Sequence, residues 1–455
     1  MNDTIRQIIR DFSLSDYEPI FPRDLSLGTP LAPRAGNLAT VVVGMRRSGK
    51  SYRLFQEMKA LIESGVDPSR ILYFSFEDDR LAPVTPRTGD EAMEVFRLMH
   101  PQSFEQGVYL FFDEIQEMAD WDRWLRRIID TTKATIYITG SSSKLLIEDV
   151  ATAFRGRSLS FEMMPLSFTE FVRFHDEKLA GCPVRSLTSI EQAQMQNLCR
   201  EYLKRGGFPA IQQQPLPLAY QTLQSYAQRV TAKDVLERHD IAQGRGVTIF
   251  AQRLLAMTAR QVSLRKMENG LRSQGIKVIR SALSEWMAYF QDAYMIATVR
   301  DRSRALSDAT TAMPKVYAID PGLAAASSPA STDDEGHRLE TAVYLELRRR
   351  NPLLRKEGIS SYRTEAGLEV DFCVGDFLEG EPLRFYQVAT SLDNEKTRKR
   401  ELRSLEEAMG ERGIGESWLI VLEGVPEDVE TESGAVHIRP AWQWLSEDED
   451  PSTIR

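Results

Sequence analysis

The segment Gly44-Met45-Arg46-Arg47-Ser48-Gly49-Lys50-Ser51 constrains this chain more than any other stretch. It fits the spacing G-x-x-x-x-G-K-[ST] and stands where that spacing has physical meaning, after the branched apolar run at 38–44 and before the helical pattern YRLFQEMKALIE. A strand that turns tightly into a helix aims successive backbone N–H groups, and the positive end of the helix, at one point suited to phosphate oxygens. Gly44 and Gly49 permit the turn, Lys50 reaches the outer phosphates of a triphosphate, and the Ser51 hydroxyl is suited to ligate magnesium. Ser48 and Tyr52 complete the residues expected around the nucleotide. ATP with Mg2+ is the expected ligand. Arg46 and Arg47 carry no readable role and are expected in solvent.

A second run, Val108-Tyr109-Leu110-Phe111-Phe112-Asp113-Glu114, is an apolar strand ending in adjacent carboxylates. Strand alternation sends the two to opposite sides, which gives Asp113 the magnesium and Glu114 the orienting and deprotonation of the attacking water. Such a pair favours hydrolysis over a simple nucleotide switch. The next strand, ATIYITG, leads into Ser141-Ser142-Ser143. There Ser141 reads either as a group that senses the γ-phosphate and holds water or as part of a serine-rich turn. In Phe154-Arg155-Gly156-Arg157, Arg155 and Arg157 are candidates for stabilising transition-state charge on a neighbouring subunit's ATP, with an ordinary salt bridge as the alternative.

At 455 residues the chain exceeds a single core, and 42% hydrophobic with 27% charged residues is ordinary for globular protein. Five strand candidates, at 38–44, 71–77, 108–114, 134–140 and 158–164, alternate with helical stretches and predict an α/β fold with a parallel sheet. That core spans 38–165 after an N-terminal extension, 1–37. Residues 166–245 read as a helical lid or connector. Helices at 248–260, 264–273 and 277–290, followed by a strand pair, suggest a winged helix over 246–325, with Trp286 and Phe290 in its core. A polar linker, 326–336, precedes a further α/β domain, 337–455. Three dispersed cysteines fit a reducing compartment, and neither a signal peptide nor a membrane-length apolar run is visible, so a cytoplasmic protein with no membrane partner is expected. A net charge of -9 disfavours gripping nucleic acid over the whole surface, yet residues 252–280 hold seven basic residues against one acid, Glu268.

With these residues in view, the chain resembles a family of archaeal and bacterial AAA+-like P-loop ATPases that add a winged helix and a C-terminal PD-(D/E)xK nuclease-like domain. The marks are GMRRSGKS, LFFDEIQEMADWDRWLRRI, YITGSSSKLL, FRGRSLSFEMMPLSFTEF, YLKRGGFPA, and KVYAIDPGL ahead of HRLETAVYLEL, and they run through nearly the whole chain. The resemblance implies an ATPase core, a sensor at Ser141 to Ser143, an arginine finger at Arg155 or Arg157, and a functional homo-oligomer. It also implies a nuclease-like metal site built from a helix glutamate, a strand aspartate and an acid-x-lysine pair on the next strand. Glu340 and Asp371 take the first two places, but the third reads Gln387-Val388-Ala389. Without the second carboxylate and the lysine, nuclease activity is not expected and the domain reads as a docking module. A nuclease with migrated residues would use Glu365 or Glu369. Two functions follow: an ATP-driven machine acting on nucleic acid, or a nucleotide-gated assembly switch that docks a partner protein.

Overall fold

The branched apolar runs between residues 38 and 164 pair into one parallel sheet in the computed structural model, which describes residues 2–141, 158–302, 313–328, 334–352, 358–375 and 382–447. The chain divides into two compact units, Met1–Met164 with Asp292–Tyr294, and Pro165–Gln291 with Met295–Arg455.

In the first unit, helix α1 (Asn2–Asp11) precedes β1 (Ala39–Val43), α2 (Lys50–Glu63), β2 (Ile71–Ser75), α3 (Pro86–Met99), β3 (Val108–Asp113), α4 (Trp121–Thr131), β4 (Ala134–Gly140) and β5 (Ser158–Glu162). The sheet order is β2-β3-β4-β1-β5, with every neighbour parallel. β3 and β4 are buried along their whole length, because helices cover both faces of a parallel sheet. Successive side chains serve opposite faces: Phe111 stacks on Tyr137 at 4.6 Å within the cluster of Leu54, Phe55 and Met58 from α2, whereas Phe112 packs edge-on against Trp124 of α4. The N-terminal residues belong to this core. α1 packs on α3 and β2, Phe12 stacks on Tyr73 at 4.4 Å, and Arg23 pairs its backbone with the Gln56 side chain of α2.

The second unit opens with α5 (Phe168–His175), α6 (Ser189–Arg205) and α7 (Leu216–Val230). Ser167 and Glu170 form a capping box that starts α5. There follow α8 (Gly244–Ala256), β6 (Arg260–Gln261), α9 (Leu264–Arg272), α10 (Arg280–Asp292), β7 (Ile296–Val299) and β8 (Lys315–Ala318), whose strands form an antiparallel sheet of order β6-β8-β7. Trp286 and Phe290 are buried against Phe250. The last part runs α11 (Pro321–Ser327), α12 (Glu335–Arg350), β9 (Ile359–Arg363), β10 (Glu369–Val374), β11 (Arg384–Ala389), α13 (Glu395–Arg412), β12 (Glu416–Val421), β13 (Glu427–Glu430), β14 (Ala435–Pro440) and α14 (Ala441–Ser446). Its sheet has the order β13-β14-β12-β11-β10-β9, in which β9, β10 and β11 are antiparallel and β11, β12 and β14 parallel. Of the expected linker, residues 329–333 lie outside the described residues, while the flanks extend α11 and α12.

Three of the marked sequence segments meet in this unit. The Leu166 N–H donates to Gly207 O at 2.7 Å, and the Tyr202 hydroxyl donates to Leu166 O at 3.1 Å. The Gly207 N–H donates to Asp320 Oδ2 at 2.6 Å, while Asp320 Oδ1 caps α11 by accepting from Leu323 N at 2.8 Å. Gly206 has φ +78, and a Cβ there would lie 2.0 Å from Asp320 Oδ1, so glycine is required on two counts. Among the described residues, no helix is long and apolar enough to cross a membrane.

Candidate nucleotide site

β1 stops at Val43 because Gly44 turns the chain with φ +147, a conformation closed to side-chain-bearing residues; a Cβ there would also meet Met163 O at 2.2 Å. The loop then passes through Arg47 at φ 71 and Gly49 at φ 103, and α2 begins at Lys50. Gly49 supplies no side chain to cap α2, so the first-turn N–H groups face the loop without a side-chain acceptor. Ser48 Oγ is buried and has no hydrogen-bond partner among the described residues. An orphaned hydroxyl and uncapped helix N–H groups around one loop fit an anionic group such as a phosphate.

Lys50 and Ser51 leave the first turn of α2 toward the end of β3. Lys50 Nζ donates to Gly44 O at 3.1 Å and Met45 O at 3.4 Å, and lies 3.2 Å from Glu114 Oε1. The Ser51 hydroxyl donates to Asp113 Oδ2 at 2.7 Å. Asp113 accepts two more hydroxyls, from Tyr73 on β2 at 2.8 Å and from Thr139 on β4. Thr139 Oγ1 in turn accepts the Glu114 N–H at 2.9 Å. The sheet order explains these neighbours: β3 lies between β2 and β4, Ser75 registers with Asp113, and Phe112 registers with Ile138, one residue before Thr139.

Strand alternation misplaces the second carboxylate. Glu114 lies one residue beyond β3 in a left-handed conformation, φ 49 and ψ 51, so it does not continue the pleat and turns toward Lys50 on the same side as Asp113. Arg46 also departs from expectation. It is 7% exposed and pairs with Glu77 at 2.9 Å and Glu117 at 3.2 Å, whereas Arg47 is exposed. Burial pushes the Asp113 carboxyl up, and the Glu114 charge adds to this, against the three hydroxyls that pull it down. Burial also opposes ionisation of Glu114, but Lys50, Arg46 and Gln116 outweigh it and hold that carboxyl below its ordinary value. Tyr73 is pushed well up by burial and by Asp113, so it keeps the proton it donates.

Ser141 is buried and accepts from Gln116 Nε2 at 3.3 Å, and the same amide donates to Glu114 Oε2. Tyr52 is half-exposed on the first turn of α2, edge-on to Tyr17 at 6.1 Å. Ser142, Ser143, Arg155 and Arg157 lie outside the described residues. Sequence reasoning missed Tyr73, Thr139, Gln116 and Arg23. The last donates through Nη1 to Ser48 O at 2.9 Å and through Nη2 to Met164 O at 2.8 Å, which fixes the back of the loop. In the C-terminal part, Glu340 and Asp371 come together on the Lys315 ammonium, while Glu365 stands apart, exposed, with its N–H on Glu411.

Residues 36–172 match the AAA domain, and residues 196–334 match a domain of unknown function. The chain is 31% identical over 443 residues to the uncharacterized protein MJ1544 of Methanocaldococcus jannaschii, covering 96% of this chain and 93% of that protein. It is 25% identical over 310 residues to an uncharacterized protein of Haemophilus influenzae, covering 68% and 74%. Among solved structures, the ORC1 protein of Aeropyrum pernix in complex with DNA aligns with a TM-score of 0.28 and 13% identity over 63% of this chain and 85% of that one. The loop at 44–51 lies within the AAA-domain match, and the extent of the match to MJ1544 identifies the chain as a member of the protein family to which MJ1544 belongs.

Proposed function

We propose that the chain binds Mg-ATP on residues 44–51 and hydrolyses it. The observation that carries this reading is a single hydrogen-bonded set joining Lys50, Ser51, Asp113 and Glu114 beside a loop with an orphaned Ser48 hydroxyl and uncapped helix N–H groups. Magnesium held by Ser51 and Asp113 would neutralise charge on the phosphates. The residues supply the rest. Lys50 exchanges Gly44 O, Met45 O and Glu114 for the outer phosphates. That exchange frees Glu114, still oriented by Gln116, and removes the Lys50 charge that holds its pKa down, so it is better able to take a proton from water. Nucleotide arrival therefore couples phosphate binding to release of the base.

Glu114→Gln is expected to retain ATP and lose turnover by about 10²- to 10⁴-fold. Lys50→Ala is expected to weaken ATP binding by roughly 10- to 100-fold, the value of a charged hydrogen bond. Unchanged turnover in the first variant removes Glu114 as the base, and unchanged affinity in the second removes the loop as the phosphate site.

The finer reading is an oligomeric ATPase acting on nucleic acid, with Arg155 or Arg157 of one subunit completing the site of the next. The order helix, strand, helix, helix, strand, strand over 244–318 supports a winged helix, and α9 carries exposed Arg265 and Lys266. An observation favours the second reading, a nucleotide-gated switch that docks a partner protein. Much of the basic run is engaged within the chain: Arg260 with Asp334, Arg272 and Arg280 with Glu268, and Arg253 on Gly270 O. ATP turnover and particle size, each with and without duplex DNA, separate the two.

A further inference from the structure

The nuclease-like resemblance implies a divalent metal between Glu340 and Asp371, and the residues present do not fit one. β8 delivers Lys315 into that position. Its Nζ lies 3.1 Å from Glu340 Oε1 on α12, 2.8 Å from Glu369 Oε1 and 3.1 Å from Asp371 Oδ1 on β10. An ammonium has three N–H donors, and three carboxylates take them. Further hydrogen bonds hold the same cluster. The Tyr317 hydroxyl donates to Glu340 Oε1 at 2.7 Å, and the Val388 N–H donates to Asp371 Oδ2 at 3.0 Å. Gln387, standing where the pattern has its second acid, turns its carbonyl to the Asp371 N–H at 3.0 Å and its amide to Glu401 at 2.8 Å. Among the described residues, no group of three or more His, Cys, Asp or Glu is disposed to hold a metal ion.

The Lys315 ammonium brings a positive charge to these three acidic side chains, where the pattern has a metal ion. The lysine is also a tether. It reaches from the sheet of β6, β7 and β8 into the C-terminal sheet, beside Thr258 paired with Thr341 at 2.7 Å and the Arg300–Arg302 backbone bonded to Ser361 at 2.9 Å.

We propose that Lys315 is a built-in cation, holding permanently the place of a divalent metal between Glu340, Glu369 and Asp371, so that the C-terminal domain binds no metal there and is fastened to the preceding sheet. The test titrates Mn2+ into the nucleotide-free full chain and follows free Mn2+ by electron paramagnetic resonance. Comparison with Asp371→Asn isolates this site from any ion held near Ser51. Wild type and Asp371→Asn are expected to bind Mn2+ equally. Lys315→Met is expected to gain one ion with a Kd on the order of 10⁻⁴ M, and Lys315→Met/Asp371→Asn to lose it. An Asp371-dependent ion in wild type overturns the proposal, as does a folded Lys315→Met, judged by circular dichroism, that gains none. Lys315→Ala is measured alongside, and the wild-type comparison decides the question even where both lysine variants fail to fold.

Discussion

Asp113 accepts hydroxyls from three different elements, and each of them holds a buried carboxylate in the one orientation that faces Ser51. Thr139 is the most consequential, because the same oxygen that donates to Asp113 accepts the Glu114 N–H and so fixes both acids. Thr139→Val keeps the shape and removes that oxygen. The Glu114 N–H is then left buried without a partner, and the variant is expected to be ~1–3 kcal/mol less stable by chemical denaturation. Asp113 loses a donor that lowers its pKa, so it would protonate at higher pH than in wild type. A variant as stable as wild type would mean that water replaces the hydroxyl. Lys50, Ser51, Asp113 and Glu114 were legible because a loop and a strand end carry them at fixed local spacing. Thr139 and Tyr73 were not, since their meaning depends on which strands flank β3, and no local pattern states a sheet order. Glu114 was misplaced for a related reason: periodicity describes a strand but not the residue that leaves it.

At the scale of elements, the segments 165–171, 202–209 and 318–323 are joined by hydrogen bonds around Asp320 and the glycines beside it. Their sequences stood out, but their common cause did not, because about 150 residues separate Leu166 from Asp320. β6 was missed because two residues cannot show a period. The junction carries a pH signature. Burial raises Asp320 to about 6, despite the Gly207 and Leu323 N–H groups that favour its charge, while the unfolded chain ionises it near 3.8. Between about pH 4 and 6 the folded state therefore binds more protons than the unfolded state, and this residue's contribution to stability falls as pH rises through that window. Asp320→Asn cannot titrate. Its unfolding free energy relative to wild type is expected to rise by ~2 kcal/mol from pH 4 to pH 6.5, as a shift of about two pKa units implies over that window. A constant difference across that range would mean that water reaches the carboxylate.

For the whole molecule, the net charge of -9 opposes any polyanion, so nucleic-acid binding must rest on locally unopposed cations. Of the seven basic residues at 252–280, Arg260, Arg272 and Arg280 already face acids, and Arg253 is spent on a carbonyl. Arg265, Lys266 and Lys277 are exposed and free of ion pairs among the described residues. If these three make the phosphate contacts, the slope of log affinity against log salt should be about -3 on duplex DNA, at ~0.9 per contact. Lys266→Ala should reduce its magnitude by ~1 and weaken all sequences alike, since a phosphate contact carries no base information. Titration by fluorescence anisotropy between about 50 and 200 mM salt measures both. A much steeper slope would show that Arg272 and Arg280 leave Glu268 on binding, because each freed guanidinium releases a further counterion. No binding at low salt, combined with ATP-dependent assembly, would instead assign this helical surface to a protein partner, for which the internal pairing of the basic run leaves a less charged face.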